Sequence, residues 1–175
     1  MEYKIILVLL LVFIFLFIPM REKVNAVCVL KAKKIDGVIY LEELPNNKTH
    51  IYGKVTGLKP GSHGIHIHEA GDLTDGCTSA CAHYNPFGKS HGGPNNSDRH
   101  VGDLGNIVAD KNGVGVFDLV DSLVKLSGKY SVIGRSIIVH KDEDDLGKGG
   151  FPDSKTTGHA GERLVCGVIG YAKKH

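Results

Sequence analysis

Apolar and polar positions divide the chain into two regimes. Residues 5–18 form an unbroken apolar run, with Lys4 before it and Pro19 after it. Beyond residue 26 no long segment sustains the 3.6-residue period of an amphipathic helix. Short runs rich in β-branched and apolar residues recur instead, at 27–33, 38–43, 50–56, 64–68, 105–109, 114–120, 136–140 and 164–171. Turn residues separate them, among them Asp36-Gly37, the polar stretch 45–48 and Asp110-Lys111-Asn112-Gly113. About eight short strands with tight turns predict an all-β, antiparallel sandwich or barrel. Two long stretches, 69–104 and 141–163, are too rich in Gly, Pro, Asn, Ser and charge to continue the strands. Irregular segments of that length inside a small domain call for a functional reason.

The apolar run near the start is shorter than the about 20 residues a membrane span needs. Val24-Asn25-Ala26 places apolar or small residues three and one before a cut. The pattern predicts a secretory signal peptide over 1–26 and a single domain over 27–175, secreted from the cell. Arg21 and Lys23 beyond the run keep a signal-anchored form, with the domain outside, as the alternative. Removing 26 residues leaves 18 lysines and arginines against 17 aspartates and glutamates, a formal charge of +1. That balance does not suggest nucleic acid or an acidic membrane surface as a partner.

All four cysteines, Cys28, Cys77, Cys81 and Cys166, follow the expected cut. Secretion favours a disulfide, and four cysteines allow three pairings between which composition does not choose. Two sequons, beginning at Asn47 and Asn95, offer glycan acceptors, and Asn95 lies among the histidines described next.

Between His63 and Asp103 the chain concentrates six of its ten histidines, His63, His66, His68, His83, His91 and His100. A solvated loop has no reason to gather imidazoles, and an apolar core has less. Neutral imidazole is the commonest protein ligand for zinc and copper. In 64–68 the alternation of a strand sends Ile65 and Ile67 to one face and His66 and His68 to the other, about 6.5 Å apart along the strand. His83, His91, His100 and Asp103 offer three nitrogens and one oxygen, the donor set of a closed four-coordinate zinc site. His140 ends an apolar strand, and with His66, His68 and His83 it completes an all-nitrogen set suited to copper(II). His83 can serve both ions, because a deprotonated imidazole has two usable nitrogens. His63, His50, His159 and His175 are read as non-ligands.

Two stretches, 64–72 (GIHIHEAGD) and 158–169 (GHAGERLVCGVI), resemble the two signatures of the copper/zinc superoxide dismutase family. Cys77 and its neighbours, His91-Gly92-Gly93-Pro94, the run 99–106 and the run 144–150 are similar to further family segments, so the likeness spans about 27–172. The resemblance implies an Ig-like Greek-key barrel. It implies dismutation of superoxide to dioxygen and hydrogen peroxide at a redox-cycling copper beside a structural zinc. It also implies a homodimer, although Ala70 stands where the family has a bulky aromatic. Copper would be held by His66, His68, His83 and His140, and zinc by His83, His91, His100 and Asp103. Asp144 would hold rings of both sets. Cys77 and Cys166 would form the disulfide, His83 would relay a proton, and Arg163, helped by Lys155, would attract the anion. A copper-loading factor is a further partner the resemblance suggests. The competing reading is a copper chaperone or storage protein on the same fold, against which the complete ligand set weighs.

Overall fold

The computed structural model describes residues 24–173. Of the expected signal peptide over 1–26, residues 1–23 lie outside the described residues. Eight strands follow: β1 (Asn25–Lys31), β2 (Asp36–Glu43), β3 (Thr49–Thr56), β4 (Gly61–His68), β5 (Asp103–Ala109), β6 (Val114–Asp121), β7 (Ser136–His140) and β8 (Arg163–Tyr171). Every ladder is antiparallel, and the sheet closes on itself in the order β1-β2-β3-β6-β5-β4-β7-β8. The contacts β3–β6 and β4–β7 join strands that are not sequential, so the chain crosses over twice, as in a Greek key.

Alternation within the strands builds the core. Leu30, Ile39, Leu41, Ile51, Ile65, Ile67, Ile107, Ile137 and Ile169 point inward and are fully buried. Most strands alternate buried and exposed positions, but β4 from His63 onward and all of β7 are buried on both faces. There the outer wall is covered by the two long loops. Closure leaves no open edge, yet the ladders differ in length. β3 and β6 pair over eight residues, whereas β5 and β6 meet only at Val108–Val116 and Ala109–Gly115.

Strand placement agrees with the periodicity, with two differences. Asp36-Gly37 is not a turn: both residues pair within β2, and the reversal runs from Ala32 to Ile35. Packing explains Gly37, since a Cβ there would lie 2.9 Å from Val55 Cγ2 and 3.0 Å from the Lys54 carbonyl. The long loops also carry some regular structure, a 3₁₀ turn over Thr78–Ala80 and a short helix α1 (Ser154–Thr157).

Candidate metal centre

Strand parity places the first ligands. His66 and His68 on β4 face outward beside Ile138 and Ser136 of β7, while Ile65 and Ile67 enter the core against Val139 and Ile137. His140 continues the outward face of β7. His83 returns beside β4, bridged to His68, with Tyr84 N donating to the Ile67 carbonyl at 2.9 Å. Gly102 closes this arrangement: its N–H donates to Tyr84 and its carbonyl accepts from Ile67, and a Cβ there would collide with the Ile67 carbonyl.

Two β-bulges aim the remaining groups. An irregularity between Gly64 and His66 brings Asp103 of β5 opposite His66. Another, between Val139 and His140, brings Arg163 of β8 opposite His140. Bulges re-aim side chains in this way beside active sites.

Among the described residues, three groups could hold an ion, two of them with four members. His66, His68, His83 and His140 bring one nitrogen each within 4.8 Å of one another, and so do His83, His91 and His100 with a carboxylate oxygen of Asp103. In the second group, Asp103 Oδ1 lies 2.9 Å from His83 Nδ1, 2.9 Å from His91 Nδ1 and 3.1 Å from His100 Nδ1. His83 belongs to both groups, with Nδ1 toward Asp103 and Nε2 toward the other three rings.

The hydrogen bonds assign the tautomers. His66 Nε2 donates to Asp144 Oδ2 at 2.8 Å, His68 Nδ1 to the Cys81 carbonyl at 2.9 Å, and His140 Nδ1 to the Gly161 carbonyl at 3.1 Å. His91 Nε2 donates to Asp144 Oδ1 at 2.8 Å. The opposite nitrogens His66 Nδ1, His68 Nε2, His83 Nε2 and His140 Nε2 are buried with no partner, and His91 Nδ1 has only the Asp103 carboxylate beside it. Buried polar atoms without partners are costly, and four lone pairs drawn together in one group fit a cation, as does the Asp103 carboxylate among three imidazole nitrogens. A further three-residue group, His66, His91 and Asp144, is fully used by the two carboxylate hydrogen bonds.

Burial lowers the basicity of these rings. His68 is held at about 2, by burial first and the neighbouring His83 next, and His140 at about 4, chiefly by burial. His66 and His83 are lowered for the same leading reason. Neutral imidazole is the ligand form, so burial keeps these rings ready to bind a cation. Burial would lower His91 too, but the carboxylates of Asp103 and Asp144 outweigh it and push it up to about 9.

Positioning residues extend further than the sequence indicated. Asn106 brackets Asp144, its Nδ2 donating to the Asp144 carbonyl at 2.9 Å and its Oδ1 accepting from Asp144 N at 2.8 Å. Arg99, buried, pairs with Asp121 of β6 and donates to the carbonyls of His100 and Asp103, both at 3.1 Å, and so ties the second group to the barrel. His63 follows the parity of Ile65 and Ile67, away from His66 and His68. It is buried, its Nδ1 2.9 Å from the His140 carbonyl and its Nε2 2.8 Å from the Lys59 carbonyl. A charged residue beside a ligand was the only trace of Arg99 in the sequence, because Asp121 lies 22 positions away.

Cys77 and Cys166 form a disulfide, which fastens the first long loop to β8. Cys28 is free and buried, its thiol pushed up to about 12 by burial, while Cys81 is free and exposed. Both Arg163 Nη atoms are held by this loop, Nη1 donating to the Cys77 carbonyl and Nη2 to the Cys81 carbonyl, each at 2.6 Å. An open cleft of about 510 Å³ leads to the first group, lined by His68, His83, His140, Cys81, Asp153 and Arg163. Lys155 is not among its walls. Its Nζ turns toward Gly147, and its carbonyl accepts from His91 N at 2.9 Å, so Lys155 supports a ligand instead of facing the cleft.

The sequence model of the family described as copper/zinc superoxide dismutase (SODC) matches residues 35–169. The superoxide dismutase [Cu-Zn] of Paramecium bursaria Chlorella virus 1 is 52% identical over 179 residues, covering 97% of this chain and 95% of that protein. Superoxide dismutase [Cu-Zn] 5 of Dictyostelium discoideum is 51% identical over 150 residues, covering 85% of this chain and 99% of that protein. The crystal structure of the clock protein EA4 superposes with a TM-score of 0.83 at 48% identity, covering 85% of this chain and 94% of that one. With the family sequence matched over most of the barrel and two relatives above half identity, this chain belongs to the copper/zinc superoxide dismutase family.

Proposed function

We propose that the chain dismutates superoxide, with copper held by His66, His68, His83 and His140 and zinc by His83, His91, His100 and Asp103. The observation that carries this reading is the set of four buried ring nitrogens without a partner, His66 Nδ1, His68 Nε2, His83 Nε2 and His140 Nε2, each opposite a nitrogen that faces a carbonyl or a carboxylate. Copper held by these four rings would supply the one-electron exchange that dismutation needs. The protein supplies the rest. Asp144 orients His66 and His91 together, and Arg163 presents a cation to the incoming anion. His83 is the ring that can take a proton at Nε2 while Nδ1 stays on the Asp103 side. Metal analysis beside a superoxide assay tests the assignment: His140→Ala should lose copper and activity while keeping most of its zinc. Full activity in that variant would refute the copper set.

The secreted setting is part of the same proposal. A cut after Ala26 has to precede closure of the barrel. The Val24 carbonyl accepts from Glu43 N, the Asn25 carbonyl accepts from Ala172 N, and Ala26 is buried between Leu41 and Tyr171. N-terminal sequencing of secreted protein should begin at Val27, and retention of Met1 would overturn it. Asn47, at the exposed tip between β2 and β3, is the favoured glycan acceptor over Asn95. The Thr49 hydroxyl of its sequon is buried on the Val124 carbonyl, so transfer would also precede folding. For a homodimer the supporting feature is an apolar patch on the outer face of the adjoining strands β1 and β8, where Val29 and Val168 are 58% and 41% exposed. A copper-loading factor completes the set of partners this reading implies.

A further inference from the structure

The rim of the cleft carries a titratable pair that the dismutase reading does not use. His159 follows Gly158 at the end of α1, and both have left-handed backbones, at φ +52 and +67. Its ring lies flat on Phe151, with centroids 3.8 Å apart and planes 11° from parallel, and its Nδ1 bonds Asp153 Oδ1 at 2.8 Å. Thr157 Oγ1 donates to the other Asp153 oxygen at 3.2 Å. The pair is therefore held in place and is not a chance surface contact. Asp153 lines the cleft with Arg163, His68, His83 and His140, while about half of each partner's side chain remains in contact with water.

An anion moving down the cleft meets two opposite charges, Arg163 inside and Asp153 at the mouth. Among the described residues, Arg163 binds three carbonyls and pairs with no carboxylate, so its charge is uncompensated. Asp153 opposes it, and the group bonded to Asp153 is an imidazole. With His159 neutral, the rim pair carries −1; with His159 protonated, it carries no net charge. We propose that His159, through Asp153, sets the charge which the cleft mouth presents to superoxide, and so tunes the rate of anion capture with pH. The proposal rests on reading this cleft as the approach to the copper.

Other charges near the rim do not replace this pair. Lys141 and Glu162 pair with each other 3.5 Å apart, and Lys155 turns toward Gly147. Asp142 backs Gly161, and Cys81 stands on the opposite wall beside Arg163. Phe151, the surface against which His159 stacks, does not titrate. One unit charge at about 10 Å in water changes the local concentration of a monovalent ion by about twofold. The predicted effect is therefore modest, and its signature is its dependence on pH and salt.

The test uses the metal-loaded full protein and two readouts. In the first, the second-order rate with superoxide is measured from about pH 8 to about pH 5.5 for the parent, His159→Asn and Asp153→Asn, with copper and zinc quantified at each end. The parent should gain about twofold as pH falls. His159→Asn should lack that step, and Asp153→Asn should be faster throughout while keeping a rise toward low pH, because His159 still gains a charge there. In the second, the His159 ring is followed by NMR over the same pH range in the reduced, diamagnetic protein. An identical pH profile in parent and His159→Asn, with metals retained, overturns the proposal. So does an NMR midpoint outside the range in which the rate changes. Arg163→Ala separates the two layers: if it too leaves the rate unchanged, the cleft is not the route of approach, and the underlying reading fails first.

Discussion

Arg163 stands opposite His140 across the β7–β8 ladder, displaced into that position by the bulge that takes Leu164 out of register. One ring of the copper set and the guanidinium thus reach the same cleft from neighbouring strands. With almost no net charge to attract an anion, the protein depends on this local cation. Arg163→Ala should lower the second-order rate by about tenfold or more, and Arg163→Glu further, with both metals retained. The remaining rate should also respond less to salt, since the screened attraction is gone. An unchanged rate in Arg163→Glu with full copper would contradict this account.

Asp144 holds His66 and His91 by its two oxygens, and Gly158 packs so closely that a Cβ there would collide with both Asp144 and His91. Removing the carboxylate frees one ring in each metal set. Asp144→Ala should weaken binding of copper and zinc by about 10- to 100-fold, although Asp144 is not itself placed as a ligand. Competition against a chelator reads the effect for each ion, and unaltered affinity for both would show that the rings are fixed by packing alone.

The pH dependence of the metal-free protein has two flanks of opposite sign. His68 and His140 are lowered in the fold to about 2 and about 4, against an ordinary value near ~6.5. Their neutral forms stabilise the fold fully above about 6.5, and that contribution drains as pH falls toward about 4. Asp144, held at about 2 against the effect of its own burial by hydrogen bonds from His66 and His91, adds a loss only below about 4. His91, raised to about 9, contributes stability below about 6.5 that is lost as pH rises through 9. Thermal unfolding of chelator-treated protein should therefore peak between the flanks. A midpoint that does not fall between about pH 6.5 and about pH 4 would contradict the assignment of the acid flank.

The Cys77–Cys166 bridge spans 89 residues. Chain entropy gives a crosslink of that span a stabilisation of about 4–5 kcal/mol, from which strain and residual unfolded structure subtract. Cys166→Ser should cost about 2–4 kcal/mol in denaturant unfolding. It should also loosen Arg163, whose Nη1 rests on the Cys77 carbonyl. Mapping of the oxidised parent should recover the 77–166 peptide, with Cys28 unreactive toward alkylating reagents and Cys81 reactive.

The barrel was legible because alternation is local: Ile65 and Ile67 against His66 and His68 declare a two-faced strand without any knowledge of its neighbours. The clustering of the histidines was legible for a different reason, since so many imidazoles in one stretch point to a shared site, which the fold gathers into the two four-membered groups. What stayed hidden depends on pairs distant in the chain. Arg99 meets Asp121, Asn106 meets Asp144, and His63 reaches the carbonyl of His140, none of which leaves a local pattern. Lys155 was misplaced for the same reason. Its charge was visible, but its direction is set by the short helix that the loop forms, and the glycine-rich sequence gave no sign of it.

The two-residue contact between β5 and β6 makes this closed cylinder a clasp with one short hook. β5 begins at Asp103, so zinc held there would fasten one side of the hook, while Arg99 and Asp121 fasten the other. Withdrawing zinc should let the cylinder spring open there before it melts elsewhere, and amide exchange should accelerate first at Val108, Ala109, Gly115 and Val116. The opened edges would carry Val108 and Val116, already 62% and 70% exposed on the outer face. Unpaired strands with apolar side chains invite pairing with another chain. In this protein the zinc that steadies a catalytic ring would thus also serve as a guard against self-association.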